Sequence, residues 1–121
     1  MDIDIQVETE FLPQHSDLIR DYYAFAYHIR ITNNDGEPVT LRNRYWEITD
    51  ALGKHESAGG VGVVGEQPTL QPSGTFRYTS GVRLNAPWGK MSGKYEFETF
   101  KGERFWAEIP PFELRTPRVL Q

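Results

Sequence analysis

Tyr23, Phe25, Tyr27, Ile29 and Ile31 stand at every second position of one stretch, with Tyr22, Ala24, Ala26, His28, Arg30 and Thr32 between them. A repeat of two puts alternate side chains on opposite faces of an extended chain, whereas a helix would scatter these large residues around its axis. The stretch predicts a strand whose odd-numbered row is core. The same alternation recurs at Ile3, Ile5 and Val7, at Phe76, Tyr78, Ser80 and Val82, over Lys94–Thr99, and at Phe105, Ala107 and Ile109. Val39–Thr49 adds a strand rich in β-branched and aromatic residues, with a polar middle at Arg42-Asn43-Arg44. No segment carries a 3.6-residue apolar repeat over helix length.

Turn chemistry separates these runs. Pro13–Asp17 reads as a loop, with Leu18 and Ile19 expected to tuck beneath it. Asn33–Pro38 predicts a hairpin turn of three to five residues, and Asp50–Gly53, Pro72–Gly74, Asn85–Gly89 and Lys101-Gly102 supply further turns. Trp88 falls in one of those loops. Val61, Val63 and Val64 are expected to form a short edge strand. Pro110-Pro111 removes two backbone donors, so the last strand must lie at a sheet edge or beyond a bulge. The expectation is an all-β fold, an antiparallel β-sandwich of about seven strands, because two sheets can share one core where a lone sheet leaves a face wet. A small closed barrel is the alternative.

With 121 residues the chain is expected to be one domain, residues 1–121. A net charge of -4 lacks the clustered Lys and Arg that counterion release requires, so nucleic acid is not expected as a partner. The absence of cysteine removes disulfides, thiolate metal sites and a cysteine nucleophile. The start, Met1-Asp2-Ile3-Asp4-Ile5, has neither the basic nor the apolar part of a signal peptide, and no apolar run reaches membrane-spanning length. A cytoplasmic protein without membrane insertion is expected.

Gly60-x-Gly62-x-x-Gly65, followed by Glu66 and Gln67, has the letters of a phosphate-binding loop. That loop works by opening a helix, and Pro68, Pro72 and Gly74 forbid one here. The segment reads first as turn and bulge at a sheet edge, and second as a nest of N–H groups for a pyrophosphate or diadenosine polyphosphate, assisted by Lys54, Arg77 or Arg83. His15, His28 and His55 are dispersed, with Glu56 beside the last, so no metal site and no cofactor are expected. Ser80 lacks a nucleophile-elbow context, and Glu96, Glu98 and Glu108 fall on polar strand faces with Lys94 and Arg104, so no catalytic grouping is expected. Exposed aromatics with arginine suit protein interfaces. Trp88, Arg104 and Trp106 are the candidate partner surface, with Phe100 on the polar face of its strand and Trp46 in the core. A free strand edge offers self-association as a homodimer.

Gly62-Val63-Val64-Gly65-Glu66-Gln67-Pro68, Tyr78-Thr79-Ser80-Gly81, Gly89–Tyr95 and Phe105–Leu114, with Phe25-Ala26-Tyr27 upstream, resemble the ApaG family over about Val7 to Leu114. The resemblance implies an immunoglobulin-like or fibronectin-type-III-like sandwich and a glycine motif similar to a pyrophosphate-binding sequence. It also implies an association with cobalt resistance and magnesium efflux, and a gene neighbour encoding a diadenosine-tetraphosphate hydrolase. Related domains end some F-box proteins and a polymerase-interacting protein, which implies binding to other proteins. Val61 departs from the family, where a charged residue is common between the first two glycines. The reading is a non-catalytic protein-binding module for a partner of unknown identity. Its alternatives are ligand binding at the glycine loop and direct divalent-cation sensing.

Overall fold

The computed structural model describes residues 2–117. Eight strands run β1 (Ile3–Phe11), β2 (Tyr23–Asn33), β3 (Val39–Asp50), β4 (His55–Val61), β5 (Thr69–Leu70), β6 (Thr75–Leu84), β7 (Trp88–Thr99) and β8 (Arg104–Arg115). Two single 3-10 turns, Pro13–His15 and Leu18–Arg20, lie between β1 and β2. One sheet has the order β1-β2-β6 and the other β4-β3-β7-β8, with β5 also paired to β3. All pairings are antiparallel. The fold is an antiparallel β-sandwich, and the barrel alternative fails because the sheets do not join into one ladder. β1, β2 and β6 form one layer, and β3 with β4, β5, β7 and β8 forms the other.

The core follows from the alternation. Phe25, Tyr27, Ile29 and Ile31 of β2 face Leu41 and Trp46 of β3, Met91, Tyr95 and Phe97 of β7, and Ile109 and Leu114 of β8 in one buried cluster. Trp46 stands edge-on to Tyr27 at 5.3 Å, Phe112 at 5.8 Å and Tyr95 at 6.2 Å, joining both sheets through one side chain. Pro110 and Pro111 meet both conditions set by their missing N–H groups. They lie on the outermost strand, where the register shifts between Met91 and Gly93.

Four local expectations are corrected. Asn33–Pro38 does not make a hairpin, because β2 already has β1 on one side and β6 on the other, and β3 passes into the opposite sheet. The buried Asn33 side chain builds that crossover by donating to Glu37 O and Leu70 O at 2.9 and 3.0 Å and accepting from Asp35 N. Leu18 and Ile19 are exposed, at 55% and 96%. Their 3-10 turn is capped by Asp17, and the Phe11–Phe25 ring pair at 5.5 Å already closes the core at that end. The edge strand ends at Val61, leaving Val63 buried and Val64 in a turn. Trp88 opens β7 instead of lying in the preceding loop, since its pairing with Arg115 extends the ladder that far.

Candidate functional site

The glycine segment is a tight hairpin. Val63 and Glu66 exchange two backbone hydrogen bonds of 2.9 Å across a two-residue turn, with φ of 44° at Val64 and 80° at Gly65. Positive φ at both central residues is the type I′ geometry that joins antiparallel strands, and glycine favours it. Gly62 has φ of 64° and donates to Arg42 O at 2.7 Å, and a Cβ there would stand 2.2 Å from Glu66 O. A Cβ at Gly60 would lie 2.8 Å from Arg44 Nη2, so this glycine makes room for a guanidinium. The amides of Gly62, Val63 and Glu66 are thus spent inside the protein, which does not favour a continuous N–H cradle. Glu66 is exposed, and Gln67 accepts from Arg42 Nη1 at 3.1 Å, fastening the hairpin to β3.

The cations named as assistants are elsewhere. Lys54 pairs with Glu56 at 3.1 Å, Arg83 stacks on Tyr22, and Arg77 stands opposite Arg30 in the other sheet. Arg44 takes their place. Val39 and Leu41 point inward, a bulge intervenes before Asn43, and Arg44 and Trp46 then occupy the inward row. The signal for this was in the sequence: Leu41 and Trp46 are both core residues an odd number of positions apart, which requires one extra residue between them.

Arg44 donates through Nη1 to Val61 O at 3.1 Å and Gly62 O at 2.9 Å. Among the described residues no carboxylate lies within ion-pair distance of it. It lines a cavity of about 210 Å³ between the sheets with Tyr27, Trp46, Tyr78 and Ser80, and the hairpin tip Val63–Gly65 covers it. The Tyr78 hydroxyl is hydrogen-bonded to that of Tyr95, which is fully buried. Burial pushes both phenols well above their ordinary range, so they remain protonated.

On the outer face of the larger sheet Trp106 is 46% exposed, with Lys94 Nζ 4.6 Å above its ring. Asn43, Arg44, Tyr45, Gly60, Val61, Lys94 and Trp106 line an open groove of about 550 Å³. The register therefore joins Gly60 and Trp106, two separate candidates in the sequence. Arg104 is beside them but committed to Glu96 and Glu98 at 3.2 Å each. Trp88 does not join the groove. Trp106 sits opposite Glu96, and Trp88 lies eight residues back along β7, roughly 26 Å away at strand rise. Phe100 lies in the turn after β7 and is exposed. His28 contacts Thr79 and Glu10, His55 contacts Thr49 and Glu47, and no group of three metal-ligating residues forms among the described residues. No helix among the described residues is long and apolar enough to cross a membrane.

Fold and surfaces define a small β-sandwich domain whose inter-sheet cavity and outer groove meet at Arg44. Residues 13–99 match the family model described as the ApaG domain. The chain is 51% identical over 117 residues to Protein ApaG of Parvibaculum lavamentivorans, covering 97% of this chain and 90% of that one. It is 47% identical over 119 residues to Protein ApaG of Shewanella frigidimarina, covering 98% and 94%. A crystal structure described as an ApaA protein from Bordetella pertussis superposes with a TM-score of 0.94 at 40% identity, covering 98% of this chain and 96% of that one. The chain belongs to the ApaG family.

Proposed function

We propose that this ApaG domain is a non-catalytic, cytoplasmic module that binds another protein along the outer groove of its larger sheet. The observation that carries the reading is the exposed Trp106 with Lys94 over its ring, in a groove that Gly60 and Val61 of β4 line on its far side. The groove runs across the face of the sheet, and an aromatic anchor on that face supplies the buried contact that dominates such interfaces. The segment that suits the groove is extended, with an apolar side chain against Trp106 and a carboxylate toward Lys94. The cobalt and magnesium association of the family is then exercised through the partner.

A photo-crosslinking residue placed at Val61 in cells tests this, with Thr79 on the outer face of the smaller sheet as control. One discrete adduct from position 61, absent from position 79 and lost when Trp106→Ala is added to a folded protein, is expected. Equal adducts from both faces, or adducts indifferent to Trp106, would overturn the reading.

A further inference from the structure

We infer that the cavity between the sheets, beneath the Val63–Glu66 turn, is a seat for a small oxyanion, either a carboxylate or a phosphoryl group. The argument is a count of donors and acceptors. The Tyr78–Tyr95 pair has two hydroxyl protons and one hydrogen bond between its oxygens. Tyr95 is fully buried and has no other partner among the described residues, so it must donate to Tyr78. The Tyr78 proton is then left for the cavity that Tyr78 lines. Ser80 and Tyr27 line the same space, and neither side chain has a hydrogen-bond partner among the described residues. Arg44 brings a guanidinium that spends only Nη1 on loop carbonyls.

Three hydroxyl-bearing side chains and one cation thus line a space whose described wall carries no carboxylate. Hydroxyls rotate to donate to an anion, and Arg is suited to planar or tetrahedral oxyanions. Half-buried between sheets, its charge is screened less than a surface charge would be. Trp46 and the Tyr27 ring form apolar walls beside the donors. A volume of about 210 Å³ lies below the about 300 Å³ at which drug-sized pockets begin, so the cavity encloses an anionic group and a short stem, not a dinucleotide. The amides of Val64 and Gly65, unused in the turn, stand at the rim as reporters.

The test is a titration of isotopically labelled protein with sodium phosphate and, separately, sodium acetate, against sodium chloride at matched ionic strength. Saturable movement of the Val64, Gly65 and Ser80 amides is expected with at least one oxyanion and not with chloride. Saturation by phosphate alone assigns a phosphoryl group, and by acetate alone a carboxylate. Tyr78→Phe with Ser80→Ala keeps the packing, removes two donors, and is expected to weaken binding about tenfold. Arg44→Gln is expected to abolish it. Absence of saturable shifts with either anion in the folded protein, or an affinity unchanged in the Tyr78→Phe, Ser80→Ala protein, would overturn the inference.

Discussion

The Tyr78 and Tyr95 phenols share one hydrogen bond, Tyr95 fully buried and Tyr78 nearly so, and that fixes how the protein responds to alkali. Their folded-state ionisation is raised by burial, while in the unfolded chain each ionises near pH 10. The native state therefore holds protons that the unfolded state releases, and stability is fully present below about pH 10 and lost as pH rises above it. The expected slope is about 1.4 kcal/mol per pH unit for each tyrosine still protonated in the fold. Urea unfolding from about pH 9 to about pH 11.5 measures it, and a Tyr78→Phe, Tyr95→Phe protein should lose most of the slope. A slope unchanged in that protein would place the alkaline lability elsewhere. The glycine motif gives a second residue-scale expectation. Gly62→Ala combines a φ of 64° with a Cβ 2.2 Å from Glu66 O, whereas Gly65→Ala combines a φ of 80° with open space. The first should cost about 3 kcal/mol and the second about 1 kcal/mol in equilibrium unfolding. Equal costs would mean that conformation alone, without the close approach to Glu66, governs both positions.

At the scale of elements, alternation located the strands but not their neighbours. Tyr23–Ile31 was readable as a buried row because a period of two leaves little else for five large apolar residues to do. What could not be read was that Asn33–Pro38 crosses between sheets, since Asn, Asp, Gly and Pro serve a crossover as well as a hairpin. The deciding fact is non-local: both ladders of β2 are taken by β1 and by β6, which arrives some forty residues later. The groove was legible in pieces, Gly60 from its motif and Trp106 from its outward row, and only the registers of β3 with β4 and β7, and of β7 with β8, put them together. Arg44 was missed because the bulge after Leu41 reverses the alternation and turns inward a residue that an unbroken count turns outward. Asn33 is the testable part of the crossover, since its amide satisfies two carbonyls and one N–H. Asn33→Ala should cost about 3 kcal/mol by orphaning them, against about 1 kcal/mol for Asn34→Ala in the same connection, and chemical unfolding of the two proteins checks it. Similar losses would show that the backbone of the connection holds itself.

Over the whole molecule, the arrangement of the core decides how the protein comes apart. The buried cluster takes residues from β2 and β6 of one sheet and from β3, β7 and β8 of the other, with Trp46 touching rings on both sides. Neither sheet alone has a second layer to cover its apolar face, so a state with one sheet intact would expose that face to water at about 25 cal/mol per Å². The hydrogen-bonded ladders are similarly unable to survive separately, because the crossovers at Asn33 and at Pro72–Gly74 alternate the chain between sheets. The described residues, 2–117, should therefore unfold as one cooperative unit. Three tryptophans make this measurable, since Trp46 is buried at the junction while Trp88 and Trp106 are already half in solvent. The fluorescence change on unfolding should come chiefly from Trp46 and coincide with the loss of β-sheet signal in far-ultraviolet circular dichroism, and Trp46→Phe should remove most of it. A fluorescence transition that precedes the circular dichroism transition would mean that the inter-sheet contact opens while the ladders persist, and the single-domain description would fail.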